Sequence, residues 1–303
     1  MTAVSTERII LGCGNFGGVG SDLSLVGRGE GEAEAFELMD AAWARGVRRF
    51  DTASSYGGGS SERTIGAWLR ERKPDGLALT SKAFHPVHEG DDSGLAPARI
   101  RRVVRDSLER LGVERIDLYL IHAVDPATPL RETLGALEEL VRDGSIGAIG
   151  VSNIDAGDLA EALALAPISV VQNEYSLLVR DAERDVLPLC AERGVKFQAF
   201  SPLAGGWLTG KYARGAQFPA GSRMTLRPGP YGEFVRDDVF DSLEELGRRG
   251  DPATLALAWI LADPRVGAIV TGPRRPAHLD PVWAALALEV DRDELAEVFA
   301  WSR

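Results

Sequence analysis

Two cysteines and four histidines are all that the 303 residues hold of the usual soft metal ligands. Cys13 and Cys190 lie far apart and form no Cys-x-x-Cys spacing, which argues against a disulfide framework or a zinc ribbon and leaves two reduced thiols in apolar surroundings. Basic charge is also short. Lysine and arginine number 34 against 45 acidic residues, and the formal charge of -11 argues against a general binder of nucleic acid or of anionic membranes. No run reaches the ~18 apolar residues that a spanning helix needs, and the first eight residues lack the charged start and apolar stretch of a secretory signal. A cytoplasmic protein is expected.

What is present is a sizeable apolar fraction, 45%, laid out in short β-like runs that alternate with helical stretches. Eight runs read as strands: Ile9 to Gly14, Val47 to Asp51, Leu77 to Lys82, Ile116 to His122, Ala148 to Asn153, Val170 to Asn173, Phe197 to Ser201 and Val266 to Gly272. Between them, Glu32 to Ala44, Ala98 to Leu111, Leu130 to Val141 and Ala182 to Arg193 show helical periodicity and stop at a glycine. Eight such units close naturally into a (β/α)8 TIM barrel, read here as one domain over residues 1–303. GCGNFGG at Gly12 to Gly18 imitates a dinucleotide fingerprint, but the polar stretch after it opens no helix, so a doubly wound sheet is disfavoured. Two insertions follow strand ends, His85 to Pro97 and Leu203 to Asp251. The Pro/Gly-rich part of the second, Phe218 to Gly232, reads as a cover over the rim.

The chain is organised around RFDTASSYGGGSS, Arg49 to Ser61. A short strand delivers Asp51 to its C-terminal edge, Gly57 to Gly59 make the turn, and Ser60 or Ser61 is expected to cap the next helix, with Glu62 in its first turn. Taken singly, Asp51 could cap a helix and Tyr56 could cover the core. The other strands, however, also end in polar residues, among them Lys82, His122, Asn153 and Gln172. On one rim these form an acid-base set. Asp51 would keep Lys82 charged, Lys82 would favour the phenolate of Tyr56, whose reference pKa is about 10, and His122 would donate to an oxygen where charge develops.

At this point the sequence resembles the aldo-keto reductase superfamily, closest to the branch of potassium-channel β-subunit-like and bacterial sugar-type reductases. The matching stretches run over nearly the whole chain: FDTASSYGGGSSE, LTSKAFHP, RDSLERLGVERIDLYLIH, VRDGSIGAIGVSN, VQNEYSLL, FSPLAGGWLTGKY and TGPRRPAHL. The resemblance implies a catalytic tetrad of Asp51, Tyr56, Lys82 and His122, with Tyr56 as the acid, and a nicotinamide cofactor bound without a Rossmann domain. Carried over by position, Ser152, Asn153 and Gln172 would hold the carboxamide, and Phe200 would stack under the ring. Ser201, Leu203, Gly205 and Lys211 would wrap the pyrophosphate, and Asn15 would touch the cofactor after the first strand. Gly272 and Arg274 would meet the adenosine 2'-phosphate, which points to NADPH over NADH. Two departures weigh against that preference: His278 stands where the family often has glutamine, and Val282 where it often has asparagine. Phe16, Phe84, His85 and Trp207 are expected to line a pocket for a small carbonyl substrate such as an aldose, a keto sugar or an aryl aldehyde.

Other readings are open to the same residues. His85, His88, Glu89, Asp91 and Asp92 could suggest a metal, but Pro86, Gly90 and Gly94 make this a loop without helical ligand spacing, and no metal is expected. A nucleotide-binding regulatory subunit with weak or no turnover would keep the tetrad. A glycosidase would need two carboxylates at a set separation and would leave Lys82 and Tyr56 without a role. Oligomeric state is not legible in the sequence.

Overall fold

The computed structural model describes residues 6–300. Eight parallel strands close into a barrel in chain order, and the eighth pairs back to the first through Ile9↔Ile269 and Leu11↔Thr271. The strands are β1 (Ile9–Gly12), β2 (Arg49–Asp51), β3 (Ala78–Ala83), β4 (Leu118–Ile121), β5 (Ile149–Ser152), β6 (Ile168–Glu174), β7 (Lys196–Phe200) and β8 (Val266–Thr271). Around them run α1 (Glu32–Ala44), α2 (Ser60–Arg72), α3 (Pro97–Leu111), α4 (Leu130–Arg142), α5 (Ala156–Leu165) and α6 (Val186–Arg193). The second half of the chain adds α7 (Arg223–Leu226), α8 (Asp237–Arg249), α9 (Pro252–Leu261), α10 (Asp280–Leu286) and α11 (Arg292–Glu297). No helix among the described residues is long and apolar enough to cross a membrane.

The alternation of each strand sorts its side chains. Outward residues such as Leu11, Phe50, Ile121, Val151, Val171, Phe197 and Ile269 join one large core with the helices. Inward residues form two small apolar clusters: Ile10, Ala268 and Val270 under Phe200, and Leu118, Leu120 and Val170 beside Ala148. Above them the inward positions turn polar, with Asp51, Lys82, Gln172 and Gln198 all buried. Burying so many polar groups costs stability unless each finds a partner, so this layer is where function is to be sought.

Local signals explain the helices. α3 starts on Pro97 in its first turn and buries Ile100, Val103, Val104, Ser107 and Leu111 on one face. It stops at Gly112, whose φ of 69° a side chain would strain. The expected helix from Ala182 to Arg193 is instead split into a 3-10 turn, Asp181–Glu183, and α6. Pro188 is the reason. It lacks an N–H and its ring would clash with the carbonyl four residues back, so α6 begins afresh at a cap by Asp185 and keeps the proline in its first turns. Ser60 and Ser61 do not cap α2, because Gly59 occupies the N-cap with φ 78° and both serines are already helical. Ser61 Oγ instead ties Thr52 Oγ1 (2.7 Å) and the Cys13 carbonyl (2.9 Å) together.

The long insertion after β7 is structured. Trp207, fully buried, sits among Tyr212, Phe218, Phe234 and Phe240 with ring centroids 5.0–6.2 Å away. Trp207 is therefore the internal anchor of that insertion and not the pocket wall its sequence position suggested. Phe16 is corrected likewise: it is 1% exposed and belongs to the large core.

Candidate active site at the barrel rim

Asp51 closes β2 and Lys82 lies within β3, in register so that both point inward. Lys82 Nζ donates to Asp51 Oδ1 at 2.5 Å and to the Thr52 carbonyl at 2.9 Å. Gln172 Nε2 donates to Asp51 Oδ2 at 2.9 Å and to Gln198 Oε1 at 3.1 Å. The carboxylate is thus satisfied on both oxygens, and its charge holds the Lys82 ammonium above its ordinary value even though burial works the other way. Tyr56 stands on the turn after β2. Its hydroxyl lies 3.5 Å from His122 Nε2, and Lys82 Nζ sits 5.1 Å from its ring centroid.

The four expected residues therefore converge, but one electrostatic expectation reverses. Burial raises the Tyr56 phenol above its ordinary value, and the pull of Lys82 only partly offsets it, so the phenol stays protonated near neutrality. His122 moves down: burial, then Lys82, then His85 hold it well below the usual imidazole range, and it is neutral. Its Nδ1 is buried without a partner among the described residues.

The turn that carries Tyr56 is sterically specified. Gly57, Gly58 and Gly59 all have left-handed φ, and a Cβ on Gly57 would sit 2.6 Å from the Phe16 carbonyl. His85 stacks edge-on against His122 (4.9 Å) and Phe84 against His85 (5.1 Å).

The residues assigned to a dinucleotide fall into three groups. At the barrel mouth, Asn153 Nδ2 is used internally, donating to the His122 carbonyl (2.8 Å) and Ser152 Oγ (3.2 Å). Gln172 spends its amide nitrogen on Asp51, a role that the sequence did not suggest. The amide oxygens of both residues have no protein partner among the described residues, which suits a ligand that brings N–H donors. Phe200, paired with Glu174 at the end of β7, packs over Ile10, Ala268 and Val270.

After β7, Ser201 (φ 52°), Ala204 (46°), Gly205 (63°) and Gly206 (95°) make a tight left-handed loop. A Cβ on Gly205 would meet the Tyr231 ring at 2.6 Å, and one on Gly206 the Lys211 amine at 2.2 Å. Leu203 contributes its carbonyl to the loop, accepting from Gly206 N (2.8 Å). Strained non-glycine residues gather at functional loops, and two of the four among the described residues, Ser201 and Ala204, are here, while a third, Asn153, follows β5.

The third group lies between β8 and the insertion. Asn15 Oδ1 accepts from Arg223 Nη2 (2.5 Å), and its Nδ2 donates to the Gly272 carbonyl at 3.5 Å. Arg274 donates to the Gly221 carbonyl (2.6 Å) and to Glu30, and His278 Nδ1 accepts from the Arg274 backbone N–H (3.2 Å). Val282 is 2% exposed and faces the core, so its departure from asparagine takes nothing from this surface. Desolvation lowers Lys211 and Arg223, and each is lowered further by neighbouring cations that include Arg274. This cluster of mutually repelling cations stands out in a chain of charge -11. Arg223, Tyr231 and Glu30 escaped the sequence reading because their partners lie far away in the chain and no local spacing marks them.

In the loop after β3, Asp91 Oδ2 accepts from the His88 N–H at 2.8 Å, and only Asp92 among its acids pairs with arginine. Asp92 pairs with Arg102 and, at 3.4 Å, with Arg99, and no group of three or more potential ligands occurs among the described residues. Both cysteines are buried and free, and burial pushes the Cys190 thiol up to about 11.

Comparison with known proteins gives one pattern. The sequence model of the aldo/keto reductase family matches residues 8–302. An uncharacterized oxidoreductase of Bacillus subtilis, YrpG, is 34% identical and covers 97% of this chain and 91% of its own length. An NADH-specific methylglyoxal reductase of Escherichia coli is 35% identical over 81% of this chain and 80% of its own. Among solved structures, the glycerol dehydrogenase AKR11B4 of Gluconobacter oxydans superposes with a TM-score of 0.79 at 28% identity, covering 97% of this chain and 90% of that one. A thermostable aldo-keto reductase, Tm1743, does so at 0.73 and 32%, covering 97% and 94%.

Proposed function

Since the chain belongs to the aldo/keto reductase family, we propose that it reduces an aldehyde or ketone to an alcohol, with a nicotinamide cofactor at the rim and Tyr56 as the proton donor. The observation that carries this reading is the convergence of Tyr56 and His122 on the buried, satisfied Lys82–Asp51 pair.

When bound, the nicotinamide supplies the hydride to the carbonyl carbon. The phenol of Tyr56 gives its proton to the carbonyl oxygen. Lys82, kept charged by Asp51, lies beside the ring and stabilises the phenolate that this step leaves behind. His122 is neutral and its Nδ1 has no partner, so the tautomer protonated on Nε2 avoids burying an unpaired N–H and aims that N–H at the same oxygen. The geometry favours a small substrate entering beside Phe84 and His85.

Asn153, Gln172 and Ser152 would hold the carboxamide, and Phe200 would stack beneath the ring. Ser201, Leu203, Gly205 and Lys211 would take the pyrophosphate together with Arg223, and Arg274 would favour the 2'-phosphate of NADPH over NADH. Lys211 and Arg223 fit such a group because burial and neighbouring cations, Arg274 among them, lower both.

The test is NADPH oxidation followed by absorbance over a panel of aldehydes and keto sugars, with Tyr56→Phe beside the native protein. Turnover in the native protein, falling by about 10²-fold or more in the variant while NADPH still binds, is the expected result.

A further inference from the structure

Glu30 is the one carboxylate paired with the Arg274 fork among the described residues, and it stands beside a group of cations. Its place is fixed by backbone. The Glu30 N–H donates to the Asn15 carbonyl and its own carbonyl accepts from Gly17 N, both at 2.8 Å. Gly29 before it packs so closely that a Cβ would fall 1.9 Å from the Asn15 carbonyl. The side chain is 5% exposed and is held in place by this loop.

Its two oxygens differ. Oε1 accepts from Arg274 Nε, and Oε2 is buried with no partner among the described residues. On the arginine, Nε is taken by Glu30 and Nη1 by the Gly221 carbonyl. A guanidinium grips a phosphate best with two parallel N–H groups, and both edges of this fork are already engaged on one side. A fixed negative charge next to the fork also repels an incoming dianion.

We propose that Glu30 sets the choice of nucleotide: it blunts the preference of Arg274 for a 2'-phosphate, so that the site takes NAD(H) and NADP(H) with comparable affinity. This rests on the dinucleotide reading given above, with the adenosine end at Arg274. It places Glu30 among the specificity residues, although it lies outside every stretch that carried the family resemblance.

The experiment is calorimetric titration of the native protein, Glu30→Gln and Arg274→Gln with NADP+ and with NAD+, two ligands that differ only in the 2'-phosphate. In the native protein the two dissociation constants are expected to lie within about tenfold of each other. Glu30→Gln should shift their ratio by about tenfold or more toward NADP+, since a charged neighbour of a bound phosphate is removed. Arg274→Gln leaves Glu30 alone and should turn the ratio toward NAD+. A merely structural role would weaken both ligands alike, so an unchanged ratio in Glu30→Gln overturns the proposal, as does a selective loss of NADP+, which would make Glu30 a support for phosphate binding. If Glu30→Gln does not fold, as judged by its melting curve, Arg274→Gln decides: a ratio that still favours NADP+ overturns the proposal. Failure of the native protein to bind either nucleotide would overturn the dinucleotide reading as well, and is thereby distinguished from failure of the Glu30 assignment alone.

Discussion

Lys82 and Asp51 are 0% and 2% exposed, so neither has water to turn to if the other is removed. Lys82→Met keeps the volume but leaves Asp51 with only the Gln172 amide, and is expected to cost about 3–5 kcal/mol in chemical denaturation. The double variant Asp51→Asn/Lys82→Met should recover part of that loss, because no unpaired charge stays buried. A cost for Lys82→Met below about 1 kcal/mol would contradict the buried pair. His122 gives a pH signature with a definite sign. Its folded pKa lies well below its ordinary value of 6.5, so its contribution is fully present above about pH 6.5 and is lost as pH falls toward the folded value. The native protein should therefore lose stability between pH 6.5 and 5 with a slope from this group approaching about 1.4 kcal/mol per pH unit. His122→Asn should flatten that slope in urea melts at the two pH values. His85 is lowered in the same direction and keeps its own share of the slope. An identical slope in the variant would mean that His122 is not the neutral, buried group described here.

The elements that matter for function are the turns after the strands. The one after β2 presents Tyr56 only because Gly57 can adopt φ 58° with the Phe16 carbonyl closing in on it. Gly57→Ala is expected to cost about 1–3 kcal/mol and to lower turnover by displacing the phenol. Chemical denaturation and steady-state rates measure the two effects, and a variant as stable and as active as the native protein would show that the turn tolerates a side chain. At this scale much was legible in the sequence. The strands were visible because each is a short apolar run, and the helices because Gly46, Gly112, Gly144 and Gly194 punctuate them. Asp51, Tyr56, Lys82 and His122 could be picked out together because they end, lie in or follow strands that the sequence shows. What sequence could not show depends on packing across the chain. Trp207 and Phe16 looked like pocket walls because aromatic residues near a rim carry no mark of which way they face. Ser60 and Ser61 looked like caps because Gly59 left no trace of taking that position. Gln172 gives its amide nitrogen to Asp51, a bond spanning 121 positions. Glu30 and Arg274 are 244 positions apart, and Asn15 and Arg223 are separated by 208.

As a whole the molecule combines a rigid, closed barrel with a rim of opposite character to its surface. Its C-terminal end is fastened to the barrel by Arg292, which donates to Asp263 Oδ2 (2.6 Å), Tyr175 OH (2.6 Å) and Glu183 Oε1 (2.8 Å) and lies over the Trp259 ring. The scaffold below the active site is thus held by packing and by paired charge, while the strained and glycine-dependent backbone collects at the C-terminal ends of β2, β5 and β7. That division is the usual one for parallel barrels, in which the strands supply stability and the loops chemistry. The central claim is that the buried cluster makes Tyr56 an acid for carbonyl reduction. Its most direct test is the rate of NADPH oxidation by the native protein and by Tyr56→Phe on the same aldehydes and keto sugars, with nucleotide affinity measured alongside. The account predicts turnover that falls by about 10²-fold or more in the variant at unchanged affinity. Equal turnover in the two proteins would contradict the assignment of Tyr56, and tight nucleotide binding without turnover on any substrate would contradict the assignment of a reductase.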